Sequence, residues 1–94
     1  MPDIDWMKFL QIFIASLNDC LNPDVTFAEA QEFAKQRPWL TRRRIAQSLR
    51  DHRLRAWSPE ACDCCYKVLT RAPEDVLEQL ASGALSQPPR EYAE

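Results

Sequence analysis

Glycine is nearly missing: of 94 residues only Gly83 is one. Phosphate-cradling loops and dinucleotide fingerprints need several glycines at fixed offsets, so both are excluded. Tight hairpins are disfavoured as well, because their turns draw on Gly or Asn-Gly. Histidine is equally scarce, with His52 alone. A Cys–His or Ser–His catalytic pair would have to use it, and its spacing to any nucleophile supports none. The acids are expected to spread singly over helix surfaces, without the paired carboxylates of a hydrolytic cleft. Long apolar runs are absent too: Phe9 to Leu17 is broken by Gln11 and Ser16, far from the ~20 apolar residues that span a bilayer. The start, MPDIDWMKF, is acidic where a secretory leader is basic. The expectation is a cytoplasmic protein that is not an enzyme, carries no cofactor and engages no membrane.

What is present is a strongly uneven charge. The net charge is only −2, yet residues 35–55 hold eight Lys or Arg against the single acid Asp51, a local balance of +7. Residues 1–34 hold one Lys against six acids, and residues 56–94 hold three basic residues against seven acids. A block of this kind is either a solvated helix face or a contact for nucleic acid or an acidic protein. The overall pI near 5.4 weakens a nucleic-acid role without removing it, since attraction depends on the patch within a Debye length.

No segment alternates apolar and polar residues with period two, so no strand is expected. Helix signals recur instead. Asp3 is a fair N-cap for a helix reaching about Leu21, with Trp6, Phe9, Leu10, Phe13, Ile14, Leu17, Cys20 and Leu21 over an arc of roughly 160°. That arc is expected to be the central core face, with part of it as an alternative homodimer surface. Thr26 with Glu29 is a capping box opening a second helix, Phe27 to about Gln36, with Phe27, Ala30, Phe33 and Ala34 inward. Pro38 should stop it. Arg37 to Leu40 then form a tight corner with Trp39 and Leu40 tucked under it, and Thr41 caps the next helix. Ser58-Pro59-Glu60 starts a fourth helix running to about Thr70. Pro73-Glu74-Asp75 starts a short fifth, with Val76, Leu77 and Leu80 inward and Gly83 as its stop. The fold expected is a small compact all-α bundle of four to five helices around the first, with a helix-turn-helix-like pair as an option. Residues 1–85 form one domain, and 86–94 read as a flexible C-terminal tail.

Cys62, Cys64 and Cys65 invite comparison with a metal site. Structural zinc draws its four ligands from two pairs on loops or knuckles, whereas this triplet lies inside a helix. Cys62 and Cys65 share one face and Cys64 points away, so a fourth ligand would have to come from Cys20 or His52. The expectation is therefore no metal: Cys62 and Cys65 pack in the core, and Cys64 is a partly exposed thiol.

The residues 41–57, TRRRIAQSLRDHRLRAW, organise the rest. On a wheel of period 3.6 they divide into an inward side, Ile45, Ala46, Leu49, His52 and Ala56, and an outward strip, Arg43, Gln47, Arg50 and Leu54. Arg44, Asp51 and Arg55 flank the strip. Two partners fit. The first is DNA read in helix-turn-helix fashion, with Arg42, Arg43, Gln47 and Arg50 approaching bases and Arg44, Arg53, Arg55 and Arg37 touching phosphates. Pro38 in the corner and the flanking acids stand against it. The second is an acidic protein surface, met by the same arginines with Trp57 as anchor, as in a small inhibitor or adaptor such as a phage-encoded regulator of a host nucleic-acid machine. The candidate site is thus Arg42, Arg43, Arg44, Gln47, Arg50, Arg55 and Trp57, in a non-catalytic binding or regulatory module.

Overall fold

A carboxylate sets the first helix in place. In the computed structural model α1 spans Trp6–Cys20, and its cap is Asp5 rather than Asp3: Asp5 Oδ1 accepts the Lys8 backbone N–H at 3.1 Å. The structure describes residues 3–20, 24–53 and 57–94, apart from the Cys20 side chain, so Leu21, Leu54, Arg55 and Ala56 lie outside the described residues. Along α1, Trp6, Phe9, Leu10, Phe13 and Leu17 are all at most 2 % exposed, as their spacing predicts, while Ile14 is half-buried. Phe9 stacks on Phe13 with centroids 5.9 Å apart, and Trp6 meets Phe9 edge-on at 6.1 Å. Such pairs add roughly 0.5–1.5 kcal/mol beyond the area they bury.

Asn18 Oδ1, near the end of α1, accepts the Val25 N–H at 3.1 Å. Thr26 then caps α2 (Phe27–Gln36) through the Glu29 N–H at 3.2 Å, and Ala30, Phe33 and Ala34 turn inward as expected. Helix α4 (Pro59–Arg71) begins on Ser58, whose hydroxyl accepts the Ala61 N–H at 3.0 Å. Helix α5 (Glu74–Ser82) buries Leu77 and Leu80 and ends on Gly83, at φ 86°. That left-handed conformation favours glycine, and a Cβ there would also lie 3.3 Å from the Met7 sulfur. Replacing Ser58 by Ala leaves an orphan N–H at the start of α4. It should cost about 1 kcal/mol of stability in urea unfolding, and no measurable loss would mean water replaces the cap fully.

Two departures from the expected order matter. Helix α3 spans Pro38–Asp51, so it starts three residues before Thr41 and ends well short of Trp57. In addition, the segment read as an unstructured tail carries a short helix, α6 (Arg90–Ala93), packed on α4. Pro88 there is buried, and the Arg71 guanidinium donates to the Glu94 carbonyl at 3.0 Å.

The described residues thus form six helices and no strand, an all-α bundle. Helix α1 packs on α2, α3 and α5, α4 packs on α2, α3 and α6, and α2 also packs on α3 and α5, so α1 is not the sole centre of the bundle. Side chains lock these layers: Gln11 donates to the Ala81 carbonyl at 2.9 Å, and Gln31 donates to the Ala72 carbonyl. Among the described residues no helix is long and apolar enough to cross a membrane.

Candidate partner-docking surface

Everything about the surface of α3 follows from where that helix begins. Proline suits the first helical position, because its fixed φ is helical and the N–H it lacks would be unpaired there. Pro38 therefore both ends α2 and opens α3, leaving Arg37 (φ −134°, ψ 62°) as the only residue between them. The four-residue corner expected at Arg37 to Leu40 does not exist. A helix-turn-helix joins its helices through three or four residues, so the α2–α3 junction departs from that motif.

An earlier start also rotates the assignments. Thr41, Ile45, Ser48 and Leu49, at spacings of four, three and one, are the buried face. Thr41 is a fully buried wall residue instead of the cap, and its hydroxyl has no hydrogen-bond partner among the described residues. Position 39 is then about 200° around the helix from position 41. Trp39 accordingly stands 84 % exposed, and Leu40 is 42 % exposed, where both were expected beneath the corner. His52, expected on the inward side, is exposed because it lies past the last helical residue. The next residue, Arg53, has φ 50°, in the left-handed region.

The candidate arginines do not all share one face. Arg42 turns toward α4, where its guanidinium lies 3.6 Å from Asp63 Oδ1 and 4.7 Å from the Tyr66 ring centre. Both charged partners are nearly half exposed, so this pair contributes little to stability and chiefly fixes the side chain's direction. Arg43 is exposed and forms no ion pair among the described residues. Arg44 is half-buried with its guanidinium 5.9 Å from the Phe33 ring centre, a ring Arg37 also covers at 4.9 Å. Gln47 is exposed and donates to Asp51 Oδ1 at 2.8 Å. Arg50 lies over the Trp57 ring at 5.3 Å. Trp57 is outside the helix, 46 % exposed, and its indole N–H donates to the Ala46 carbonyl at 2.8 Å. One face of this tryptophan is thus covered by Arg50, and its polar edge is pinned to α3. Arg55 lies outside the described residues.

Two adjoining hollows run along the outer side of α3. The first, 590 Å³, is lined by Trp39, Leu40, Arg42 and Arg43. The second, 390 Å³, lies between α3 and Ser16 of α1, and Leu40, Arg43, Arg44, Gln47, Ser48, Asp51 and His52 complete its wall. Leu40 and Arg43 belong to both.

The cysteines exchange roles relative to the expected packing. Cys65 is fully buried and Cys64 is buried, while Cys62 is half-buried with its thiol donating to the Arg42 carbonyl at 3.1 Å. The wheel position of Cys64 does face away from the α1 core, but α6 covers it: Cys64 lines a 350 Å³ hollow with Arg90, Ala93 and Glu94. Among the described residues no three His, Cys, Asp or Glu side chains converge as metal ligands would. Burial pushes all three thiols above the ordinary value of 9.0, Cys65 furthest. This is opposite to the depressed value that activates a nucleophilic thiol. Because the folded thiols hold their protons more tightly than the unfolded ones, they impose no pH dependence well below pH 9.0. As pH rises through that value the unfolded chain ionises first and stability falls, by up to ~1.4 kcal/mol per pH unit for one group. Cys65→Val should flatten the alkaline decline in Tm, and an identical pH profile would assign the decline to other groups.

No protein-family model, curated protein or solved structure matches this chain.

Function must then be read from the surface itself. Trp39, Leu40 and Ser48 join the candidate surface although the sequence did not single them out for it. The signal was available in Pro38, because proline favours the first position of a helix.

Proposed function

We propose that the protein is a non-catalytic docking module that presents the outer face of α3 to an acidic protein surface, with Trp39 as its anchor. One observation carries this reading. A tryptophan 84 % exposed sits in the first turn of a helix, beside a half-exposed Leu40 and next to Arg42 and Arg43. Leaving a large ring in water forgoes most of its burial energy, while Trp and Arg dominate the energetics of protein interfaces. The thiols of α4 are pushed up by burial, away from the depressed value of a nucleophile, which supports a binding role over thiol catalysis.

Between the two partners expected from the sequence, this reading places protein ahead of DNA. The single-residue junction α2–α3 lacks the turn that sets a recognition helix in the major groove. Arg42 and Arg50, two of the four base-approaching residues, lie against Asp63 and Trp57 instead of projecting together with Arg43. The test is capture from lysate of the native host, with and without nuclease, by the wild-type chain and by Trp39→Ala. A partner retained after nuclease and lost with Trp39→Ala is the expected result. Capture abolished by nuclease, with a duplex affinity that falls steeply between about 50 and 300 mM salt, would return DNA to first place.

A further inference from the structure

Trp39 heads a stripe that runs along the outer side of α3 through Arg43, Ala46 and Arg50, at spacings of four, three and four. On the helical wheel Ala46 and Arg50 lie about 20° from Trp39, and Arg43 about 40°. The far part of this stripe carries a second tryptophan. Trp57 arrives from beyond the helix, donates its indole N–H to the Ala46 carbonyl at 2.8 Å and lies 5.3 Å from the Arg50 guanidinium. Its ring is still 46 % exposed. Seven residues of helix separate Trp39 from Ala46, so the two rings share one face about 10 Å apart along the axis.

The open charge on that face lies along the same stripe. Arg43 and Arg50 are exposed and form no ion pair among the described residues, and its ring contact leaves the Arg50 charge unneutralised. Arg42, about 60° from Trp39, is matched by Asp63, which also takes Lys67 at 3.0 Å. The acid of α3, Asp51, lies about 120° from Trp39 and accepts from Gln47.

We infer that Trp57 is a second anchor of the docking face, and that the partner presents two bulky apolar side chains about 10 Å apart with one or two carboxylates between them. The inference rests on the docking function above and deepens it by naming what the partner must carry. Trp57 suits the role because it is fixed in advance. Pinned at its N–H and covered by Arg50, the ring loses little conformational freedom when a partner closes over it. The two open guanidinium charges set the number of carboxylates. The Arg50 cover also disfavours single-stranded nucleic acid, whose bases stack on open ring faces. A Leu or Phe needs only apolar area, which the exposed part of the ring supplies.

The probe is a helical peptide of about 14 residues with two Leu seven positions apart and Glu at the third and fourth positions after the first Leu, so that all four share one face. The full chain is labelled with 5-fluorotryptophan, and its three fluorine lines are assigned by single Trp→Phe substitutions. The peptide should move the Trp39 and Trp57 lines with one midpoint, while the line of buried Trp6 stays in place. Replacing either Leu by Ser should weaken binding at least roughly tenfold. Replacing both Glu by Gln should weaken it at about 50 mM salt, and the difference should shrink as salt is raised. A Trp57 line that stays while the Trp39 line moves, single-Leu peptides that bind as well as the two-Leu one, or no movement at about 1 mM peptide would overturn the inference. A short thymidine oligonucleotide that moves both lines at comparable affinity would overturn it too. The two proposals separate cleanly. Movement of the Trp39 line alone leaves the docking function standing and removes the second anchor, whereas a lysate partner kept by Trp39→Ala removes the docking function itself.

Discussion

Trp39→Ala should weaken partner binding by about 30-fold or more, roughly 2 kcal/mol, while shifting the stability of the free chain by less than about 0.5 kcal/mol. The separation of these two numbers makes the experiment decisive. A ring 84 % exposed contributes little to folding, because almost none of its surface leaves water when the bundle forms. The same ring seated under a partner would bury on the order of 150–250 Å². Calorimetric or fluorescence titration of the captured partner measures the first quantity, and urea unfolding measures the second. Loss of affinity with unchanged stability supports the anchor. Unchanged affinity removes it, and a large loss of stability would show that the ring packs on its own chain.

Phe13→Ala should have the reverse signature, destabilising the fold by about 3–5 kcal/mol. Phe13 is fully buried in the middle of α1 and stacks on Phe9, in the face that α1 turns toward its neighbours. Its loss leaves a cavity too deep for the short helices around it to close without moving. For a domain of this size such a loss is a large part of the total, since folded domains are stable by only about 5–15 kcal/mol. The variant should therefore unfold at markedly lower urea, and partly at growth temperature. A loss below about 1.5 kcal/mol would mean that the bundle repacks around the gap. Trp6 supplies a useful contrast, because its indole N–H is buried without a partner among the described residues. Trp6→Phe removes that orphan donor together with some volume, so its cost should be well below that of Phe13→Ala.

Much of this architecture was legible residue by residue. The faces of α1 and α2 follow directly from the spacing of Trp6, Phe9, Leu10, Phe13, Leu17, Ala30, Phe33 and Ala34. Thr26, Ser58 and Gly83 mark helix ends where the expected hydrogen bonds or positive φ are found. These features are local: a cap needs a side chain three residues from an N–H, and an amphipathic face needs only periodicity. Sequence and structure part where a local signal has two meanings. Pro38 can stop one helix or start the next. Read as a stop, it displaces Thr41, Trp39 and Leu40 together, since a helix that starts three residues later presents different positions to the core.

The chain by itself determined that this is an all-α bundle, where its apolar faces lie, and that its positive charge is concentrated in one stretch. Tertiary structure decided which of those charges share a surface. Arg42 is drawn across to Asp63 and Tyr66 by the packing of α3 on α4, and Arg50 is drawn onto Trp57. Arg43 lies beside Trp39 and Leu40 in a hollow that Arg42 also lines, and Arg44 lies around the helix on the side nearer α1. Cys64 was likewise buried by α6, a segment too short and polar to announce a docking position of its own. The physical reason is one of range. Helix caps and periodicity act over three or four residues, whereas a side chain's final neighbours depend on which helices the core brings alongside it.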